Sequence, residues 1–179
     1  NACSAYVKPE KCGGSDELKK HVKKPNLRIP DKKNPNLQPR IVDGRLVFDI
    51  PFTTSGDIDT ANTLLETAKE EWAKVKVDLN FQQVSDPSKA IVDVSGIDSV
   101  RMAFVTGRCI CEDGARIAGY APSNFMKIYF NIDQGFSDGM TGPHEVGHFL
   151  GLQHRGFGVM QIGPTEPRRR ITTSDRDRL

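Results

Sequence analysis

Residues 143–156 read PHEVGHFLGLQHRG. This stretch contains five residues in the spacing H-E-x-x-H-x-x-G-x-x-H: His144, Glu145, His148, Gly151 and His154. An α-helix turns by about 100° per residue, so the first two histidines lie one turn apart on the same face and can reach one ion. The third would lie roughly 9 Å further along a straight helix. The spacing therefore predicts that the helix ends at the glycine, which adopts a positive φ more readily than other residues.

Three histidines brought together in this way predict a metal site with one open position. A catalytic zinc ion has three protein ligands, here His144, His148 and His154, and a water in the fourth tetrahedral position. Glu145 lies next to the first ligand, where it can contact the water rather than the metal. Zinc lowers the pKa of such a water to about 7, and Glu145 can act as the general base. We predict a zinc-dependent endopeptidase in which Glu145 activates a zinc-bound water, with one catalytic Zn²⁺ as cofactor.

Two alternatives stay open at this point. The histidines could have purely structural partners on an ordinary helix. The site could also be degenerate and bind zinc without catalysis, which would make the chain a silent or latent secreted protein with a binding or adhesion role.

The extended motif resembles the metzincin clan of zinc metalloendopeptidases, whose signature includes a downstream methionine in a Met-turn. Met160 follows the third histidine by six residues and fits that position. In the family, this methionine packs beneath the metal ligands. Ile162 stands where astacin-like and serralysin-like members carry a tyrosine ligand, so those two subfamilies fit poorly.

The chain before the motif resembles the matrixin branch, although pappalysin-like bacterial enzymes share HEVGH-x-LGL as well. Alternating and β-branched residues predict a series of strands, and apolar residues at i, i+3, i+4, i+7 and i+11 predict a long helix between the first two. The predicted strands are residues 45–53, 77–84, 90–94, 117–122 and 127–133, and the helix is residues 59–75. The fold class implied is α+β: a metzincin-like catalytic domain over residues 45–179, with a mixed twisted sheet, a long backing helix, an active-site helix and a Met-turn.

The resemblance also implies where a substrate binds. The segment Ile117, Ala118, Gly119, Tyr120 and Ala121 corresponds to the family's edge strand. It would hold a protein or peptide substrate in extended conformation by main-chain hydrogen bonds. The loop 161–167 would form the wall of the adjacent specificity pocket. The alternative is an ordinary strand with no role in binding.

The sequence also bears on two metal sites beyond the catalytic one. Matrixins usually carry a second, structural zinc held by further histidines, but His21 alone remains outside the motif, so that site is expected to be absent. Asp133, Gly135 and Asp138 could hold Ca²⁺ through oxygen ligands. The alternative for these three residues is a solvated turn.

Residues 1–44 form a basic, proline-rich N-terminal arm. Residues 1–40 contain ten Lys/Arg against four Asp/Glu, whereas the whole chain has a net charge of only +2. Its prolines exclude a helix and favour an extended path. The arm is interpreted as a pro-segment, a tether or a strand of chain laid over the domain. No aromatic residue interleaves the basic ones beyond residue 20, so nucleic acid is not predicted as a partner.

The cysteines favour export from the cell. Their even number suits a secreted, extracellular protein with disulfides, and no segment is apolar enough to cross a membrane. Cys3 after alanine resembles the remnant of a lipoprotein cleavage site, so a lipid anchor at a cell surface is one option. A monomer is expected.

Cys12 has two interpretations. Lys11-Cys12-Gly13-Gly14-Ser15-Asp16 resembles the cysteine switch of matrixin propeptides, in which a thiolate occupies the open position of the zinc and keeps the enzyme latent. The alternative is a disulfide with Cys3 or with the pair Cys109 and Cys111, which themselves could form part of a metal site.

Overall fold

A computed structural model describes residues 30–107, 117–134, 139–155, 158–161 and 170–179. Several predictions concern residues outside these ranges: the four cysteines, His21, Ile162, the calcium-loop residues Gly135 and Asp138, and residues 162–167 of the pocket wall. These stay predictions.

The described residues form six strands, four helices and one short 3₁₀ turn at Pro87–Lys89. In chain order they are β1 (Arg40–Val42), β2 (Arg45–Gly56), α1 (Ile58–Ala73), β3 (Val77–Gln83), β4 (Val92–Ile97), α2 (Ser99–Thr106), β5 (Gly119–Tyr120), β6 (Lys127–Asn131), α3 (Thr141–Leu150) and α4 (Thr173–Asp177). Among these helices, none is long and apolar enough to cross a membrane.

The strands form one mixed sheet with the order β1-β2-β4-β6-β5, and β3 pairs with the other edge of β2. The long strand β2 is parallel to both β3 and β4, and β4 is parallel to β6. The last strand, β5, runs antiparallel to β6. A mixed sheet with separate helices confirms the predicted α+β class.

The backing helix α1 forms as predicted. Asp57 caps its N-terminus by accepting a hydrogen bond from the Thr60 amide at 2.9 Å, which satisfies one of the unpaired donors of the first turn. The buried residues follow the spacing i, i+3, i+4, i+7 and i+11 that predicted the helix: Ala61, Leu64, Leu65, Ala68 and Trp72. Together with the inward-facing residues of β2, they form the core under the sheet.

Several strand boundaries differ from the predictions. The edge strand predicted at 117–122 is only two residues long, Gly119–Tyr120, because Pro122 has no amide hydrogen and the chain turns there: the Phe125 amide donates to the Pro122 carbonyl at 3.1 Å. The last strand ends at Asn131 rather than 133, since the Asn131 side chain accepts from the Asp133 amide at 3.0 Å. The strand predicted at 90–94 runs over Val92–Ile97 instead, because its ladder with β2 pairs Phe52 with Val92 and continues to Gly56 and Gly96.

Part of the N-terminal arm packs against α3. Residues 31–37, called the strap below, cross the C-terminal end of that helix. The Asn34 side chain donates to the Phe149 carbonyl at 2.8 Å, and the Lys32 amide donates to the Gly151 carbonyl at 2.9 Å. Leu37 is buried in the core. The interpretation of residues 1–44 as a pro-segment or tether stays a prediction.

Candidate metal centre

Helix α3 carries the first half of the motif and is buried on almost every side. It packs closely on α1: a Cβ added to Gly142 would lie 2.3 Å from the Leu64 carbonyl oxygen. The Trp72 indole NH donates to the Pro143 carbonyl at 3.1 Å, so the indole hydrogen is satisfied inside the core. These contacts fix the helix, and with it His144, Glu145 and His148, against the rigid part of the fold.

The helix ends at Gly151, as the spacing predicted. This glycine has φ 112° and ψ 0° in the left-handed region, and its amide donates to the His148 carbonyl at 3.0 Å. A side chain would be excluded there for a second reason, because a Cβ would lie 2.2 Å from the Lys32 carbonyl oxygen of the strap. The sharp turn redirects the chain so that His154 returns toward the helix.

The turn brings the three histidines together. The Nε2 atom of His154 lies 3.0 Å from Nε2 of His148 and 3.3 Å from Nε2 of His144. Among the described residues, these three form the one cluster of His, Cys, Asp or Glu able to hold a metal ion. Their exposure increases along the chain: the first is buried, the second is intermediate and the third is exposed.

Backbone carbonyls determine the tautomers of two of the rings. The Nδ1 atom of His144 lies 2.7 Å from the Val159 oxygen, and Nδ1 of His148 lies 2.8 Å from the Leu152 oxygen. A carbonyl can only accept, so Nδ1 carries the hydrogen in each neutral ring and Nε2 presents its lone pair. Such outer hydrogen bonds orient histidine ligands in metalloproteins.

Two of the three separations between the ligand nitrogens suit a tetrahedral ion, and all three ligand atoms lie within 4.8 Å of one another. Zinc–nitrogen bonds of about 2.0–2.1 Å with tetrahedral angles put two ligand nitrogens roughly 3.3–3.4 Å apart. The observed separations of 3.0 and 3.3 Å are close to this value. The residues therefore fit a divalent metal with nitrogen ligands, and imidazole is a preferred ligand of zinc.

The Glu145 carboxylate lies beside this cluster. It is 6% exposed, and its Oε1 atom is 3.9 Å from Nε2 of His144. Strand β5 covers it closely: a Cβ added to Gly119 would lie 2.5 Å from the Glu145 Cγ and 3.0 Å from its Oε1. The absence of a side chain at residue 119 thus leaves the space in which the carboxylate sits.

A cleft of about 210 Å³ opens in front of the histidines. It is lined by residues of β5, the turn after it and the motif: Gly119, Tyr120, Ala121, Ser123, Glu145, His148, Gln153 and His154. Three of the five predicted substrate-binding residues therefore line the cleft. Ile117 and Ala118 do not, because their carbonyls accept hydrogen bonds from Asn131 of β6.

Met160 is fully buried under α3. A Cβ added to Gly147 would lie 2.5 Å from the Met160 Sδ, so the sulfur packs directly on the helix between the two ligand-bearing turns. The preceding residue, Val159, accepts the hydrogen bond from His144, and its amide lies 3.4 Å from a carboxylate oxygen of the buried Asp175. Met160 therefore packs against the helix that carries His144 and His148.

A charged pair holds the segment that carries His154. The Arg178 guanidinium donates to both carboxylate oxygens of Asp31, at 2.9 and 2.6 Å. These hydrogen bonds lower the pKa of Asp31 from 3.8 to about 2. The Gln153 amide also donates to Asp31 at 2.9 Å, and Arg178 donates to the Gln153 carbonyl at 2.9 Å. Both main-chain groups of the residue before His154 are thus fixed.

Sequence reasoning missed four of the residues that form or support the site. Gln153 lies within the motif, next to His154. The predicted turn at Gly151, which brings His154 back toward the helix, could have indicated that Gln153 lines the cleft as well. Ser123 follows the edge strand without any distinctive pattern. Asp31 and Arg178 are 147 residues apart, and no local pattern connects them.

Substitution of Gly119 by alanine is expected to lower the rate of any reaction that uses the Glu145 carboxylate by about tenfold or more. The residue has no positive φ, so the alanine backbone is unstrained and the effect is steric: the new methyl takes the place of the Glu145 Cγ. Zinc affinity is expected to stay unchanged, because no ligand nitrogen is displaced. Turnover and zinc titration would be compared with the wild type and with Gly44→Ala, where φ is +75° and nothing lies within 4 Å of the added Cβ, so this control tests a strained backbone without a steric contact. Equal turnover of the two variants would contradict the steric argument.

Comparisons with known proteins give limited similarity. No family model matches the chain, and none of the curated proteins is similar to it. Two solved structures of myroilysin are similar, with TM-scores of 0.37 and 0.38 and identities of 18% and 19%. Each alignment covers 59% of this chain, but only 42% and 44% of the two myroilysin chains, so this chain spans less than half of their length. The metal centre is therefore inferred from the motif of this chain and from the convergence of its three histidines.

Proposed function

We propose that this chain is a zinc-dependent endopeptidase of metzincin type. The observation that carries the proposal is the convergence of three imidazole nitrogens beside the buried Glu145 carboxylate, at a cleft that His148 and His154 line. A cleft is where a substrate can reach a metal, and a carboxylate at this distance from the cluster is within reach of a water molecule placed between them.

His144, His148 and His154 would hold the ion. When bound, zinc would act as a Lewis acid on a substrate carbonyl and lower the pKa of a water molecule at its open position. Met160 supports the assignment as a Met-turn through its buried place beneath α3.

Glu145 has the role of proton acceptor. Its carboxylate is directed into the cleft near His144 and takes a proton at an oxygen, from which the proton can pass to the leaving amine. Burial under β5 restricts the carboxylate to this position and limits competing solvent. A positioned general base of this kind contributes about 10²–10⁴-fold to the rate.

Strand β5 is the proposed substrate platform. Two observations support this: β6 is its one partner among the strands of the described residues, and Gly119 and Tyr120 line the cleft. An extended peptide could add to the edge opposite β6 by main-chain hydrogen bonds, with its side chains directed into pockets. The residues outside the predicted strand that join the lining, Ser123 and Gln153, would contact the substrate's side chains.

The proposal is tested by incubating the zinc-loaded chain with a peptide library of mixed sequence and mapping the products by mass spectrometry. We expect cleavage at internal peptide bonds. Zinc binding without cleavage of any library peptide, either before or after removal of residues 1–29, would favour the non-catalytic alternative, a secreted binding protein. Export itself is proposed from the cysteine content alone.

A further inference from the structure

The third ligand, His154, differs from the other two in its support. His144 and His148 are on a buried helix that packs against α1, whereas His154 is exposed and follows the helix end without belonging to any helix or strand. A ligand on irregular chain loses more conformational freedom when it binds a metal, unless other contacts fix it in advance.

Residues near both ends of the described part of the chain contact the segment that carries His154. The strap donates to the Phe149 and Gly151 carbonyls at the end of α3. Two residues further on, Asp31 accepts from the Gln153 amide, and Arg178, next to α4, donates to the Gln153 carbonyl. Beyond His154, the Arg155 guanidinium lies 3.5 Å from Asp31. The residues on either side of the ligand are therefore tied to the same carboxylate.

The Asp31–Arg178 pair that makes these contacts is largely shielded from solvent. The Arg178 side chain is 11% exposed and that of Asp31 is 22% exposed, and the two form a bidentate interaction. Bidentate arginine–carboxylate pairs are geometrically specific as well as strong. Because the pair is partly buried and bidentate, it can hold the main chain at Gln153 in one position.

We propose that Asp31 and Arg178 are positioning residues for the third metal ligand, and that the strap is a part of the metal centre rather than a separable arm. By fixing Gln153 and Arg155, the pair places His154 near the other two nitrogens before the metal arrives. Outer contacts that orient metal ligands change metal affinity by about 10–100-fold when removed. The inference rests on the proposed zinc site but makes its own prediction about zinc affinity.

The test is a zinc titration of the full chain in competition with a chromogenic chelator. We expect Asp31→Asn and Arg178→Gln each to weaken zinc affinity by about tenfold or more. The double variant should weaken it by less than the product of the two, because both substitutions remove the same interaction. The matched control is Asp78→Asn, which breaks the bidentate Arg45–Asp78 pair (2.8 and 2.7 Å) on β2 and β3 and should leave zinc affinity unchanged.

Thermal unfolding of the zinc-free variants separates positioning from a general loss of stability. If Asp31→Asn does not fold, Arg178→Lys, which keeps the charge but cannot form the bidentate contact, provides the same comparison. Folded variants that bind zinc as tightly as the wild type, or a control that weakens binding equally, would overturn the inference. Zinc binding without peptide cleavage by the wild type would refute the proposed function alone, whereas a wild type that binds no zinc would refute both.

Discussion

Replacement of Glu145 by glutamine is expected to reduce peptide hydrolysis by about 10²–10⁴-fold while zinc binding is retained. Glutamine has nearly the same shape, so it fits the space that Gly119 leaves beneath β5. It cannot accept a proton as the carboxylate does, and this removes the general base without disturbing the ligands.

The measurement is the turnover of a peptide identified in the library, together with zinc content per chain. Glu70→Gln, on the exposed face of α1, is the matched control, since it makes the same chemical change far from the cleft. Equal turnover by wild type and Glu145→Gln would mean that another group accepts the proton or that the cleavage comes from a contaminant. Loss of zinc in this variant would instead assign the carboxylate to the ligand set.

The sequence predicted those features that depend on local spacing. The helical face of His144 and His148, the turn at Gly151 and the buried face of α1 each follow from a periodicity or from the conformational freedom of glycine. Helix α2 could have been found in the same way, because Asp98 caps its start and Gly107, with φ 67°, ends it.

Other features depend on contacts between distant parts of the chain. The close approach of Gly119 to Glu145 depends on the register of β5 against β6. A strand of two residues is too short for a sequence pattern to predict that register. The Asp31–Arg178 pair joins the two ends of the described chain. In the sequence, neither residue differs from an ordinary charged surface residue. Such contacts are set by the assembled fold, which is why the arm's relation to the metal centre was not predictable.

The second large expected effect is the loss of zinc affinity when the third ligand, His154, is removed. Substitution of His154 by alanine is expected to weaken zinc affinity by more than about 100-fold, the upper value for loss of an outer contact, and to abolish hydrolysis at limiting zinc. The stability of the zinc-free chain should change little, because the His154 side chain is exposed and lies outside the core.

The control is the same titration with His21→Ala. His21 is the one histidine outside the motif, so its substitution is expected to leave zinc affinity unchanged. Removal of zinc from the wild type with a chelator should reproduce the His154→Ala activity, and added zinc should restore the wild type but not the variant at equal concentration. A variant that binds zinc as tightly as the wild type would show that His144 and His148 suffice. In that case the convergence of His154 on the other two nitrogens, at 3.0 and 3.3 Å, would have to be explained without a metal.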